Sequence, residues 1–367
     1  MADIRTKSSG VPLERESLDN QVSTGSNETG LNVLEEIEKL LERLGESRIE
    51  PVAYDTAWIA RLGHVDNELA TGAIEWLRSH QLSDGSWGAA TPLYHHDRVI
   101  STLAAIIALT HYGAPEDQPR IRAALPALQH SLSCLDTDVA GRTVAFEMLL
   151  PSLFAEAKAI GLELADPSGI VHKMSLLRDA KLAKAPQGMI SRQSTLGFSA
   201  EMVGPDGLHL LDVDNLQQPD GSVSVSAAAT AFYAAYVRAD SAVLRYLREL
   251  VRCGGAPAVT NIDVFEYAWG LWNFTRGRTI DPSVLAYSDL FLDKLAAAWH
   301  RDRGIAYSSV YSVQDGDDTG IVFKLFAQFG RTPELSALWH YEEETHFRNF
   351  ALESHASISA NIHILGA

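Results

Sequence analysis

The segment best equipped for chemistry is Asp315-Gly316-Asp317-Asp318-Thr319-Gly320, followed at once by the apolar run Ile321-Val322-Phe323-Lys324-Leu325-Phe326. Two readings fit it. Acids ahead of an apolar run cap a helix N-terminus, where the macrodipole favours negative charge and water solvates the turn. Buried in a cavity, the same crowded carboxylates cannot all ionise, so one keeps its proton and becomes a general acid. Each pKa unit of such coupling corresponds to ~1.4 kcal/mol, enough for a close like-charged neighbour to hold a proton near neutral pH. Other candidates are weaker. The adjacent side chains of His95-His96-Asp97 diverge on a helix with no carboxylate at i+3 or i+4, which favours a structural role. Glu342-Glu343-Glu344 reads as a solvated face, and neither Cys134 nor Cys253 has a nucleophile's setting.

The elements that must position these groups are helical. The 367 residues are 46% hydrophobic, enough for a large core in two domains, and carry a formal net charge of −17 that would repel a phosphate backbone. Nucleic acid is not an expected partner. Two cysteines suit a reducing cytosol and build neither a disulfide framework nor a zinc cluster. Residues 1–30 read as a flexible leader without a signal peptide's apolar stretch, and the longest apolar run, 99–109, falls short of the ~20 residues a bilayer span requires. A cytoplasmic protein without stable membrane insertion is expected.

Apolar residues recur with helical period from Asn32, where Val33, Leu34, Ile37, Leu40, Leu41 and Leu44 share a face and Gly45 marks the stop. Further helices are predicted over 99–112, 121–132, 144–160, 225–239, 242–253, 264–274, 284–301 and 320–329. Almost nothing alternates with period two, so the fold class is all-α, with inner helices covered by outer ones. The segment Gln81-Leu82-Ser83-Asp84-Gly85-Ser86-Trp87-Gly88 recurs as Gln217-Gln218-Pro219-Asp220-Gly221-Ser222-Val223-Ser224, with a fainter echo at Arg303-Gly304-Ile305-Ala306-Tyr307-Ser308. In such a unit Asp accepts from nearby backbone N–H groups and Gly takes positive φ, and its recurrence predicts helical hairpins in an array or closed toroid.

Five segments together resemble a known family. Asp315-Gly316-Asp317-Asp318-Thr319 matches the DxDD(T) signature of class II diterpene cyclases, the copalyl diphosphate synthase-like enzymes. Pro51-Val52-Ala53-Tyr54-Asp55-Thr56-Ala57-Trp58-Ile59-Ala60 is similar to their "AYDTAWVA" segment, and Gln81 to Gly88 to their "QxxDGSWG" turn. Phe146-Glu147-Met148-Leu149-Leu150-Pro151-Ser152-Leu153 is similar to "FExxFPSL", and Asn261-Ile262-Asp263-Val264-Phe265-Glu266 to "xVDLFE". The resemblance runs in family order from about residue 50 onward.

It implies a double α-barrel, with the γ barrel (67–279) inserted after the first helix of the β barrel (31–66 and 280–367) and the active cavity between them. The implied reaction protonates the terminal alkene of a prenyl diphosphate and cyclises it with the diphosphate retained. Geranylgeranyl diphosphate would give a bicyclic labdane-type product; farnesyl diphosphate and a drimane skeleton are the alternative, and an inactive helical-toroid binding module is the rival outside catalysis. Asp317 corresponds to the general acid, oriented and polarised by Asp315 and Asp318, with Asn361 matching the asparagine that hydrogen-bonds the acid. Trp269, Trp272, Tyr307, Tyr311 and Phe323 are candidate π-face liners for the cations. Lys181 matches a diphosphate-binding lysine with Lys184 beside it, and Asp136, Asp138 and Glu147 stand where the family binds Mg²⁺.

No DDxxD box of class I synthases is present, so a downstream class I synthase or other diphosphate-processing enzyme would use the product. A histidine and an asparagine that hold the terminating water in plant enzymes are replaced, near Gly197 or Phe198 and at Ala258. Family chains continue past the position of Ala367, so an incomplete β barrel with exposed apolar helix faces, and a possible homodimer, is expected. The absence of a transit peptide fits a bacterial source.

Overall fold

The computed structural model describes residues 33–367 apart from 140, 167, 278, 279, 352, 354 and 355. The expected leader 1–30 lies outside the described residues. The longer helices are α1 (Val33–Arg43), α2 (Ala53–Ile59), α3 (Asn67–Ser79), α4 (His95–Tyr112), α5 (Gln118–Ser133), α6 (Phe146–Ala159) and α7 (Ile170–Leu182). They continue with α8 (Ala227–Tyr236), α9 (Ser241–Leu250), α10 (Asp263–Phe274), α11 (Pro282–Ala298), α12 (Gly316–Gln328), α13 (Ser336–Trp339) and α14 (Ile358–Leu365). Among the described residues β-structure is limited to isolated bridges, and no helix is long and apolar enough to cross a membrane.

Two apolar cores divide the chain. In the larger, α4 is buried around its circumference because Val99, Ile100, Leu103, Ile106 and Ile107 alternate with Ala and Thr that let α2, α5 and α6 close on it. The alanines of α8 admit α2 just as closely. In the smaller core Leu41 of α1 meets Val264 and Leu271 of α10, Leu292 and Leu295 of α11, and Ile321 and Leu325 of α12. The two cores do not follow the expected divisions at 66/67 and 279/280 residue by residue. Ala57, Trp58 and Ile59 belong to the larger core, and α10 belongs to the smaller one.

The repeated turn is a recurring fastening. Asp84 Oδ1 accepts from the N–H of Ser86 (2.9 Å) and Asp220 Oδ1 from that of Ser222 (3.0 Å), while Gly85, Gly221 and Gly304 take positive φ. The backbone N–H beyond each turn then donates to a buried threonine hydroxyl on the following helix: Trp87 to Thr102 (2.9 Å), Val223 to Thr230 (2.9 Å) and Ile305 to Thr319 (3.0 Å). The third threonine closes the acidic motif, so the same device that builds the scaffold holds the start of α12. Asp55 of α2 accepts the N–H of Ala228 in the first turn of α8 at 2.9 Å, beside the N-cap Ser226.

Candidate active site

The acidic motif satisfies both readings at once. Asp315 is the N-cap of α12, its Oδ1 accepting the N–H of Asp318 at 2.8 Å, yet it is buried and its Oδ2 has no hydrogen-bond partner among the described residues. Asp318 is also buried and accepts from the indole Nε1 of Trp269 at 2.7 Å. Burial, and then the charge of Asp318, pushes Asp315 well above the usual carboxylate range. Burial lifts Asp318 to about 6 against the opposing indole. Two neighbours of Asp317 are therefore held toward their neutral forms.

Asp317 faces α14. Its Oδ2 accepts from Ser359 Oγ at 2.8 Å, its Oδ1 meets Nδ1 of His363, and its own N–H donates to Asn349 Oδ1 at 2.9 Å. The His363 ring stands edge-on to both Trp269 and Trp272, 5.3 Å from each. The Ser359 hydroxyl donates to this carboxyl, and the His363 ring nitrogen, donor or acceptor according to its tautomer, meets the other oxygen. Asn361 does not do this. It is clamped to the N–H and carbonyl of Phe347 (2.9 and 2.8 Å) and to the carbonyl of Ser357, because 359 and 363 lie one helical turn apart on the face toward Asp317 while 361 points away. His363, Ser359 and Asn349 escaped the sequence reading; a histidine two positions from the expected asparagine was the available signal.

The two helices touch where Gly320 has no side chain. An added Cβ would lie 2.7 Å from the His363 carbonyl carbon and 2.8 Å from the Ile364 nitrogen. Gly320→Ala should therefore push α14 outward, destabilising by ~1–3 kcal/mol as overpacking does. Urea melts and turnover check this: activity should fall more steeply than the lost stability explains, since His363 moves with the helix.

A cavity of about 570 Å³ lies near the acidic motif, lined by Ile262, Phe265, Tyr307, Tyr311 and Phe350 among others, with none of Asp315, Asp317 and Asp318 in its wall. Phe265 lies against Trp269, with ring centroids 5.3 Å apart, and Phe350 follows the Asn349 that holds Asp317. Burial pushes the phenols of Tyr307 and Tyr311 far upward, so both rings stay neutral. Tyr307 and Tyr311 thus line a cavity. Trp269 and Trp272 instead hold the acid's partners, and Phe323 packs in a small core with Leu338, Tyr341 and Ile364.

Val144 and Thr195 are shared with a second cavity of about 550 Å³, whose wall includes Glu147, Lys181 and Lys184. The two lysines expected to hold diphosphate both line this cavity, Lys181 paired with Glu147. The metal set is not assembled. Asp138 accepts the N–H groups of His95 (3.0 Å) and His96 (2.8 Å) and meets the His96 ring, which fastens the start of α4 and uses up its oxygens. Burial alone would raise its pKa, but these donors hold it below the usual range. Asp136 is exposed and apart, and no group of three metal-capable side chains occurs among the described residues.

Over 329 aligned residues the chain is 37% identical to the type B diterpene cyclase of Mycobacterium tuberculosis, covering 87% of this chain and 66% of that protein. The chain is similar to a diterpene cyclase over most of its length. The ent-copalyl diphosphate synthase of Arabidopsis thaliana is 30% identical over 359 residues, which are 95% of this chain and 43% of that one. The chain thus spans less than two thirds of either relative's length. A crystal structure of the Arabidopsis enzyme in complex with (S)-15-aza-14,15-dihydrogeranylgeranyl thiolodiphosphate superposes with a TM-score of 0.79 at 28% identity, over 90% of this chain and 48% of that one. The ent-copalyl diphosphate synthase of Streptomyces platensis gives 0.66 at 26% identity, over 90% and 67%. The architecture is accordingly the all-α double barrel of the class II cyclases. No family model matches the chain.

The chain also buries an acid that the sequence reading missed. Glu201 lies in the 3₁₀ segment Thr195–Val203 and accepts from the Tyr54 hydroxyl at 2.9 Å. Burial raises it from 4.5 to about 7. Between those values the native state binds more protons than the unfolded chain, so stability is lost as pH rises through that window, by about 3 kcal/mol. Urea denaturation at pH 5 and pH 8 should show this decline, and Glu201→Gln should remove its share.

Proposed function

We propose that the chain cyclises geranylgeranyl diphosphate to a bicyclic labdane-type, copalyl-like diphosphate, with the diphosphate retained. The observation that carries this reading is Asp317, held by His363 and Ser359 beside an apolar chamber that shares walls with a lysine-bearing cavity. Lys181 and Lys184 attract the diphosphate and leave the hydrocarbon tail to the aromatic chamber. Asp317 gives its proton to the terminal alkene: a C–H bond forms from the π electrons, and the remaining carboxylate is received by the Ser359 hydroxyl and the His363 ring. Ring closure moves the cation past the faces of Phe265, Tyr307 and Tyr311, which stabilise positive charge without trapping it.

Burial and the charge of Asp318 hold Asp315 toward its neutral form, which limits the negative charge beside Asp317. Mg²⁺ enters this reading as a companion of the substrate's diphosphate, with Asp136 as the exposed carboxylate of the expected set and no chemical step assigned to the ion. A separate class I synthase or another diphosphate-processing enzyme would take the product.

Incubation with geranylgeranyl or farnesyl diphosphate and Mg²⁺, then phosphatase treatment and mass spectrometry, tests this. A bicyclic C20 alcohol after dephosphorylation is expected. A drimane product from the C15 substrate would shift the assignment to the shorter chain, and unchanged linear alcohols from both would favour the inactive binding module.

A further inference from the structure

A side cavity of about 230 Å³ opens off the aromatic chamber, with Val144 and Phe198 lining both. Its wall includes Ala228 and Ala258 as well as Tyr54, Asp55 and Glu201. Glu201 is only 4% exposed; Oε1 takes the Tyr54 hydroxyl, and Oε2 is buried with no hydrogen-bond partner among the described residues. The same carboxyl also lines a cavity of about 390 Å³ with Glu156, Arg178 and Asp206. That cavity reaches water, since Asp206 is exposed and the Glu156 side chain is 33% exposed. Glu201 therefore stands between the side cavity and this outer one.

The groups around it leave it the best placed proton acceptor. Asp55 spends Oδ1 on the N–H of Ala228, and burial holds it protonated. Asp97 accepts from Ala89 N–H and Ser101 Oγ, and the Tyr54 phenol is pushed well up by burial. Buried Arg61, whose Nη1 donates to both carboxylate oxygens of Glu156, lies near enough to favour the ionised form of Glu201. On the cyclase reading above, we propose that Glu201 is the catalytic base that ends the reaction. The C–H bond beside the final cation breaks, its electron pair becomes the C=C bond, and the proton binds Oε2 of Glu201. That proton leaves through the outer cavity to water, and Asp317 regains one, so each turnover adds one proton to the substrate and removes one.

Glu201→Gln keeps the shape and the bond from Tyr54 but removes the base. With geranylgeranyl diphosphate the unaltered chain should give one deprotonated alkene skeleton. The variant, its fold checked by circular dichroism, should turn over about tenfold more slowly and divert product to water-quenched alcohols or alkene isomers. Glu201→Asp, which withdraws the acid by one methylene, should show the same diversion more weakly. The same alkene at the same rate from both variants overturns the proposal, as does a product of the unaltered chain that is itself quenched by water.

Absence of any cyclised product from the unaltered chain refutes the cyclase reading instead. The assignment of Glu201 is then decided by difference infrared spectroscopy with geranylgeranyl diphosphate bound. A carboxyl band that Glu201→Gln removes must shift on binding, and an unmoved band overturns the contact.

Discussion

Asp317→Asn should lower turnover at least about a thousandfold, at the upper part of the range for loss of a general acid, while prenyl diphosphate binding changes little. The substitution is isosteric. Its amide can still meet His363 and Ser359, and the N-cap of α12 is untouched because the cap is Asp315. What disappears is the transferable proton, and a factor of a thousand corresponds to ~4 kcal/mol of barrier. Single-turnover mass spectrometry gives the rate, and calorimetry with geranylgeranyl diphosphate gives the affinity. Turnover within tenfold of the unaltered chain would remove Asp317 from the reaction.

His363→Phe should cost about a hundredfold in kcat with KM nearly unchanged, a loss of ~2.7 kcal/mol felt in the transition state alone. Phenylalanine preserves the edge contacts with Trp269 and Trp272 but has no ring nitrogen for Asp317 Oδ1. An effect on KM instead of kcat would mean that the ring shapes the cavity rather than the acid. Asn361→Ala is the informative companion. It should reduce stability by releasing Phe347 while sparing kcat, the opposite pattern.

Local chemistry made part of this site legible. The acids before an apolar run are a helix cap, and the same crowding holds protons once the cap is buried; both follow from spacing alone. The turn repeat is also visible in sequence, since Asp, Gly and Ser act within a few residues of one another. Long-range pairings are not. His363 reaches Asp317 across 46 positions, and its selection over Asn361 depends on the rotational phase of α14 against α12. Asp138 looks like a metal ligand in sequence because the N–H groups that consume it start a helix 42 or 43 residues earlier. Helix α7 escaped notice because Met174 is its only fully buried residue, leaving little apolar periodicity to detect. The grouping of α2 with the larger core depends on packing against α4 and α8, which no short window contains.

Helix α14 is fastened along one side only: Ala360 and Ile364 are buried against α12, while Ile358, Ile362 and Leu365 are exposed. It nevertheless carries both partners of the acid. Such a segment opens at a lower free energy than the body it rests on. Warming should therefore silence the enzyme reversibly while its far-ultraviolet signal is still intact, with amide exchange accelerating in 358–365 before anywhere in α4.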